Sequence, residues 1–284
     1  MAEPLITPAP LRSMAVVGGG TMGVGIAYVY KVAGCDVWLV EPDAARQVTV
    51  RDILRRAASA GVARGKLTAD QAAAVQETIN IVPAAGALPR GLDLIVETVP
   101  ENPALKETVL RELAALDPRI LATNTSSISI DRLAAMTPDP ERFLGMHFFN
   151  PVWSLPMVEL VTGARTSPEA LALARSFAEA TGKTTIVSKD IPGFATSRLD
   201  VLSAMEAIRM LEDGVASAED IDKAMTTAFR HPVGPLRLTD IVGLDVRLDI
   251  ARRSFQRGAA AAYLRDEGPA GALQIGRASC RERV

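Results

Sequence analysis

A chain of 284 residues with 48% apolar and 23% charged residues has the composition of an ordinary globular protein and the length for two domains. A formal net charge of −2 offers no general attraction for nucleic acid or an anionic membrane. Two cysteines (Cys35, Cys280) and two histidines (His147, His231) are too few for a disulfide scaffold or a metal centre. The opening MAEPLITPAPLRSM is rich in proline and lacks the apolar core of a secretory signal, so residues 1–13 are expected to be a flexible leader. No uninterrupted apolar run approaches the ~18 residues of a membrane span, and a cytoplasmic protein is expected.

The first element is a short apolar strand, Met14 to Val17, which runs into GGGTMG and then a helical segment that stops at Gly34. Gly18, Gly20 and Gly23 fit G-x-G-x-x-G, where glycine permits a tight turn and lets the backbone approach a pyrophosphate at a helix N-terminus. The next strand, Asp36 to Val40, ends in Glu41, where a dinucleotide fold places an acid for the adenosine ribose hydroxyls. A carboxylate there repels a 2′-phosphate, which favours NAD over NADP. Arg46 is read as lying on the surface of the following helix. Asp43 to Thr78 reads as helical, broken at Gly61 to Gly65 and restarted by the capping box Thr68-x-x-Gln71. Its cations, Arg51, Arg55, Arg56, Arg64 and Lys66, form either a solvated helix face or a phosphate anchor for a large anionic substrate.

Ile79 to Val82 and Leu92 to Val96 are the next strands, the second apolar throughout, as in a strand covered on both faces. At its C-terminal end stand Glu97 and Glu101, with Lys106 on the helix that follows. In an open parallel sheet that edge faces the ligand crevice, although a helix-start acid and a local ion pair explain them equally. Ile120 to Thr123 opens into Asn124-Thr-Ser-Ser127, a capped turn or a site, and the helix Ile130 to Met136 follows. In the stretch Phe143 to Glu159 a short apolar strand delivers His147, then Asn150-Pro151, and the strand Met157 to Val161 carries Glu159 twelve residues after the histidine. An imidazole at the end of a buried strand can pass a proton near neutral pH, and a carboxylate behind it can hold its tautomer and stabilise the imidazolium. A packed strand-end histidine fits the same stretch. Ser167-Pro168-Glu169 starts a helix running to about Thr181, and Thr184 to Ser188 is the last strand. Alternating strands and helices imply a largely parallel sheet.

Beyond Asp190 the texture becomes helical. In Phe194 to Glu212, Leu199, Leu202, Met205, Ile208 and Leu211 recur in steps of three and are expected to form the buried face. Ser217-x-x-Asp220 caps the next helix, and His231 belongs to a proline-rich turn. The expected architecture is an α/β Rossmann-type dinucleotide-binding domain (14–190) followed by an all-helical C-terminal domain (191–274) for substrate or dimerisation.

In order and spacing, GGGTMGVGIA, LIVETVPEN, NTSSISI, HFFNP, PGF and GPLRLTDIVGLD resemble the NAD-dependent 3-hydroxyacyl-CoA dehydrogenases over roughly Met14 to Arg252. The resemblance implies oxidation of an L-3-hydroxyacyl-CoA to the 3-ketoacyl-CoA, or the reverse, in lipid metabolism, with NAD as cofactor, no metal, and a homodimer as the intact state. It makes His147 the general acid/base, Glu159 its partner carboxylate, and Ser126 the hydroxyl that bonds the reacting oxygen. It assigns the cofactor to Gly18, Gly20, Thr21, Met22, Gly23, Glu41, Glu101, Lys106, Ser126 and Asn150.

Two features depart from that family. Ser197 stands in Pro-Gly-Phe-Ala-Thr-Ser-Arg where the family has an asparagine, whose amide reaches further; it is kept as a site candidate. The family's closing glycine-rich segment is absent, and the ending Ile275-Gly-Arg-Ala-Ser-Cys-Arg-Glu-Arg-Val284 resembles a translated sequencing-adapter tail. The expectation is a truncated gene whose helical domain is incomplete and whose stretch Gly258 to Ala272 is already out of frame. The alternatives are a dehydrogenase of the same fold acting on a hydroxy acid or alcohol without CoA, and a non-catalytic, crystallin-like NAD-binding protein.

Overall fold

The computed structural model describes residues 11–244 and 248, and the expectations for residues 1–10 and for the C-terminal tail fall outside them. The chain divides into two compact units that meet between Asp190 and Ile191. In the first unit, β1 (Ser13–Val17), α1 (Thr21–Val32) and β2 (Asp36–Val40) form the opening strand, helix and strand. The helices α2 (Ala44–Ala63) and α3 (Ala69–Glu77) follow, the first capped by the Asp43 carboxylate and the second by the Thr68–Gln71 capping box. The sheet continues through β3 (Asn80–Val82) and β4 (Leu94–Glu97), then α4 (Pro103–Ala114), β5 (Ile120–Thr123) and α5 (Ile130–Ala134). It is completed by β6 (Phe143–Phe148), β7 (Met157–Thr162), α6 (Pro168–Glu179) and β8 (Thr184–Lys189).

The strands make one sheet in the order β3-β2-β1-β4-β5-β6-β7-β8, parallel at every junction except β6–β7. That order reverses direction at β1, between β2 and β4, and in an open α/β sheet ligands bind at such a reversal, outside the strands' C-terminal ends. On one face of the central strands Met14, Val16, Leu94, Val96, Ile120 and Ala122 are sealed from solvent and pack with Val24, Ile26 and Tyr30 of α1, and Ala15, Ile95 and Leu121 on the other face are buried as well. The opposite, N-terminal edge is tied by Asp93, whose carboxylate accepts from Arg12 N (2.9 Å), Ser13 N (3.0 Å) and the Arg119 guanidinium (2.9 Å). The end of the expected leader is thus already bound into the fold. Burial alone would push the Asp93 carboxyl up; the Arg119 hydrogen bond and the two backbone donors outweigh it and hold it below the usual carboxylate range.

The second unit contains α7 (Thr196–Glu212), α8 (Ala218–Ala228) and α9 (Pro235–Val242). The expected inner face of α7 needs correction. Val201, Ala204, Ala207 and Ile208 are buried, whereas Leu199 is 70% exposed. The stripe of large residues misled because the small alanines allow close packing, with Ile208 against Ile221 and Leu236. No helix among the described residues is long and apolar enough to cross a membrane, and none of their His, Cys, Asp and Glu side chains cluster as a metal site would require.

Candidate active site

The glycine turn joins β1 to α1 at the sheet's C-terminal edge. Gly18 has φ +115°, in the region that favours glycine, and a Cβ there would lie 2.9 Å from the Thr98 carbonyl oxygen. A Cβ on Gly23 would come within 1.9 Å of Gly18 O, so α1 can start this close to the turn only without a side chain at 23. Gly20 differs, since nothing lies within 4 Å of its would-be Cβ and the residue is exposed. It is also the N-cap of α1, with no side-chain cap and no acid in the first turn. The first-turn N–H groups, including those of Thr21 and Met22, are thus presented toward open space with the positive end of the helix behind them. This arrangement fits a pyrophosphate. Gly19, which the sequence reading passed over, sits under Glu41: its N–H donates to Glu41 Oε2 (3.2 Å), and a Cβ would meet that oxygen at 2.5 Å. Arg46 is not merely a surface residue, because its Nε donates to Gly19 O at 3.1 Å. Thr98, at the end of β4, braces the turn from the other side, its hydroxyl 3.0 Å from the carbonyl oxygens of both Val17 and Gly18.

At the end of β4 the polar residues form a buried network. Lys106 is closed to solvent and donates to both Glu97 oxygens (2.8 and 3.0 Å) and to Val99 O (3.0 Å), with Glu101 at 3.5 Å. Glu97 also accepts from Val99 N (2.6 Å) and Thr123 Oγ1 (2.7 Å), so this buried carboxylate is fully bonded. Lys106, one of the residues expected at the cofactor, directs its donors into the protein. Glu101, one-third exposed, gathers Thr125 Oγ1, Ser126 N, Ser127 N and Ser127 Oγ on one oxygen and so shapes the loop that carries Ser126. Asn124 links that loop to the next strand, its Oδ1 accepting from Phe148 N at 2.8 Å.

His147 and Glu159 stand directly opposite each other in the β6–β7 pairing. In an antiparallel pair, directly opposed residues project to the same face, which is why a separation of twelve in sequence becomes a contact. His147 Nδ1 lies 3.1 Å from Glu159 Oε2; the glutamate is fully buried, the imidazole 8% exposed, and the Phe149 ring rests on it at 4.5 Å between centroids. A carboxylate on Nδ1 fixes which nitrogen carries the proton in the neutral ring, and it is a counter-charge when the ring is protonated.

Beyond His147 the chain passes exposed Asn150 and a cis Asn150–Pro151 bond into a segment held from two sides. Val152 is buried, and a Cβ on Gly25 of α1 would meet it at 2.8 Å, while the Trp153 ring stands edge-on to Tyr28 at 5.8 Å. From the other side Lys183 donates to Val152 O (2.6 Å) and Leu155 O (2.7 Å), its ammonium pushed below the usual lysine range by burial. Along α1 and α2 a cleft of about 500 Å³ is lined by Tyr28, Trp153 and Ser154 and by Arg56, Arg64 and Lys66. The cation run therefore splits: Arg55 pairs with Asp52 in solvent, and three others face the cleft.

In the second unit, Gly193 (φ +77°) and Phe194 (φ +48°) make a left-handed turn that leads into α7, with Ser197 half-buried in its first turn. Phe194 is a bulky residue in a conformation that side chains seldom adopt, and it is held there by burial.

Residues 13–191 match the family model of the 3-hydroxyacyl-CoA dehydrogenase NAD-binding domain, and residues 193–278 that of the 3-hydroxyacyl-CoA dehydrogenase C-terminal domain. The second match runs through Gly258 to Ala272. A 3-hydroxybutyryl-CoA dehydrogenase of Mycobacterium tuberculosis is 39% identical over 250 residues, 87% of each chain. The mitochondrial hydroxyacyl-coenzyme A dehydrogenase of Homo sapiens is 37% identical, covering 83% of this chain and 77% of its own. The crystal structure of (S)-3-hydroxybutyryl-CoA dehydrogenase PaaH1 from Ralstonia eutropha superposes with a TM-score of 0.84 at 35% identity, over 89% of this chain and 90% of that one.

Proposed function

Since this chain belongs to the 3-hydroxyacyl-CoA dehydrogenase family, with NAD as its cofactor, we propose that it interconverts a 3-hydroxyacyl-CoA and the 3-ketoacyl-CoA, with His147 as the proton carrier. The observation that carries this reading is the His147–Glu159 pair, an imidazole backed by a buried carboxylate at the sheet edge where the glycine turn opens.

NAD, when bound, supplies the acceptor for the hydride that leaves the carbinol carbon. His147 takes the hydroxyl proton through the ring nitrogen away from Glu159, and the C–O bond becomes the ketone. In the reverse direction the imidazolium returns that proton to the forming alkoxide. Glu159 holds the ring's orientation and stabilises its charged form. Ser126, on the loop shaped by Glu101 and tied to β6 by Asn124, donates toward the same oxygen and orients it. The turn Gly18–Gly23 takes the pyrophosphate, Glu41 the adenosine ribose, and Asn150 the nicotinamide side. Glu101 and Lys106 support this edge from below. The helical unit, which carries Ser197 in the first turn of α7, is read as the substrate and dimerisation domain.

Support for a CoA ester comes from the cleft where Arg56, Arg64 and Lys66 converge beside Trp153. A phosphate-bearing tail meets complementary charge there, whereas a small free hydroxy acid has no use for it. The test follows nicotinamide absorbance with NADH and with NADPH against acetoacetyl-CoA, a longer ketoacyl-CoA and free acetoacetate. Turnover of the CoA esters with NADH is expected. Turnover of free acetoacetate alone would move the chain to a dehydrogenase of non-CoA substrates, and NADH binding without any turnover would favour the non-catalytic alternative.

A further inference from the structure

Lys183 has no part in the chemistry above, yet it is among the most committed cations of the first unit. It lies between the glycine that ends the α6 turn (Gly182, φ +76°) and the first residue of β8, and only 6% of it is exposed. Its described hydrogen bonds go to two carbonyl oxygens three residues apart, Val152 O and Leu155 O, and no ion pair is found for it among the described residues. Burial opposes its charge, so carbonyl dipoles alone hold the ammonium in place. Both carbonyls must turn toward one nitrogen, which sets the path of the segment between them. Pro151 O also accepts from the N–H groups of Ser154 and Leu155, and the next residue is tied down where Thr184 N donates to Pro156 O at 2.7 Å. The opposite side of the same segment rests on α1 through Val152 against Gly25 and Trp153 against Tyr28. The piece of chain leaving His147 and Asn150 is therefore stretched between the helix of the glycine turn and this one lysine.

We infer that Lys183 is a positioning residue for the dehydrogenase reaction, acting through the 150–156 segment to hold Asn150 and the His147 strand end in register with the glycine turn. The inference rests on the function proposed above. Lys183→Met removes the donors at nearly constant length, and Lys183→Arg retains a buried cation that can donate to two carbonyls. In a Trp38→Phe background Trp153 is the only remaining tryptophan and reports on the segment directly.

The expected result for Lys183→Met is a loss in kcat/KM for NADH on the order of tenfold or more, because misplacement by a fraction of an ångström degrades hydride geometry steeply. Weaker NADH binding and stronger acrylamide quenching of Trp153 accompany it, and Lys183→Arg recovers most of the loss. Asp93→Asn, at the opposite sheet edge, serves as the stability control: it lowers the melting temperature but leaves kcat/KM and quenching unchanged. The inference is overturned if Lys183→Met stays within about twofold of wild type in kcat/KM and NADH affinity, if Trp153 quenching does not change, or if Asp93→Asn reproduces the kinetic loss. A wild-type chain inactive on every acyl-CoA would defeat the dehydrogenase reading alone, and NADH affinity with Trp153 quenching would still decide whether Lys183 holds the segment.

Discussion

Two glycines of one turn should respond to the same methyl group in opposite ways. At Gly23 an added Cβ meets Gly18 O at 1.9 Å and Thr98 Oγ1 at 2.7 Å. The first partner is backbone, so α1 and the turn must separate by about 1 Å to restore a tolerable contact in a close-packed region. Overpacking of this kind costs about 1–3 kcal/mol, and at ~2–4 °C per kcal/mol for a chain approaching this size the melting temperature falls by several degrees. At Gly20 the space around the Cβ is empty and the φ of −72° suits any residue. The reduced freedom of the unfolded chain contributes about 0.4–1 kcal/mol of stability, which roughly offsets the ~0.5–1 kcal/mol lost by placing alanine at an N-cap. Gly20→Ala should therefore melt within a few degrees of wild type yet lose NADH affinity by tenfold or more, about 1.4 kcal/mol, because its methyl occupies the approach of the pyrophosphate. Gly23→Ala should lose both stability and affinity. Thermal unfolding by circular dichroism and NADH titration by nicotinamide fluorescence separate the cases. A Gly20→Ala variant that binds NADH like wild type would refute the assignment of the open side of the turn to the cofactor.

Further outcomes follow from the buried and charged groups. Asp93 has a folded-state carboxyl held below its ordinary value, so its contribution is complete above the unfolded carboxyl's pKa of ~3.9 and is lost as pH falls through the lower folded value. Asp93→Asn is thus expected to cost about 1 kcal/mol near neutral pH and to converge with wild type in strong acid; a difference that persists there would contradict the linkage. Lys106→Met leaves Glu97 charged and buried with only Thr123 and Val99 N as donors, and should destabilise the chain by about 3–5 kcal/mol in denaturant titration. Adding Glu97→Gln should restore more than half of that, and no restoration would mean that the lysine's packing, not its charge, mattered. Arg64→Ala combined with Lys66→Ala should raise KM for acetoacetyl-CoA by about threefold or more, with KM for NADH unchanged and the effect fading with added salt, as expected for an exposed phosphate contact. An equal effect on NADH would dissociate the cleft from the acyl-CoA.

Much of the first unit was legible because local signals and fold agree there. The glycine turn needed backbone close approach, Glu41 ended a strand, and Thr68–Gln71 is a capping box in the structure as in the sequence. The His147–Glu159 relation was legible only as a spacing. That the two strands run antiparallel, which makes them direct partners, depends on pairing that no local pattern encodes. The bonds of Lys106 to Glu97 and of Arg46 to Gly19 O were hidden for a related reason: a cation on a helix reads as solvated or ligand-facing until the buried acid or carbonyl it serves arrives from elsewhere in the chain. Lys183 left no signal, since its partners are backbone oxygens 28 and 31 residues away. In α7 the large residues suggested the inner face, but of those only Ile208 is fully buried, and alanine-mediated close packing placed Val201, Ala204 and Ala207 beside it.

The most direct measurement of the central claim is stopped-flow turnover of acetoacetyl-CoA by His147→Gln beside an NADH titration of the same variant. Glutamine retains a hydrogen-bonding group at the strand end but cannot carry a proton near neutral pH. The account predicts kcat lower by roughly 10²–10⁴-fold, the usual contribution of a positioned acid/base, with NADH affinity unchanged. Turnover within about tenfold of wild type, at matched NADH saturation, would contradict it.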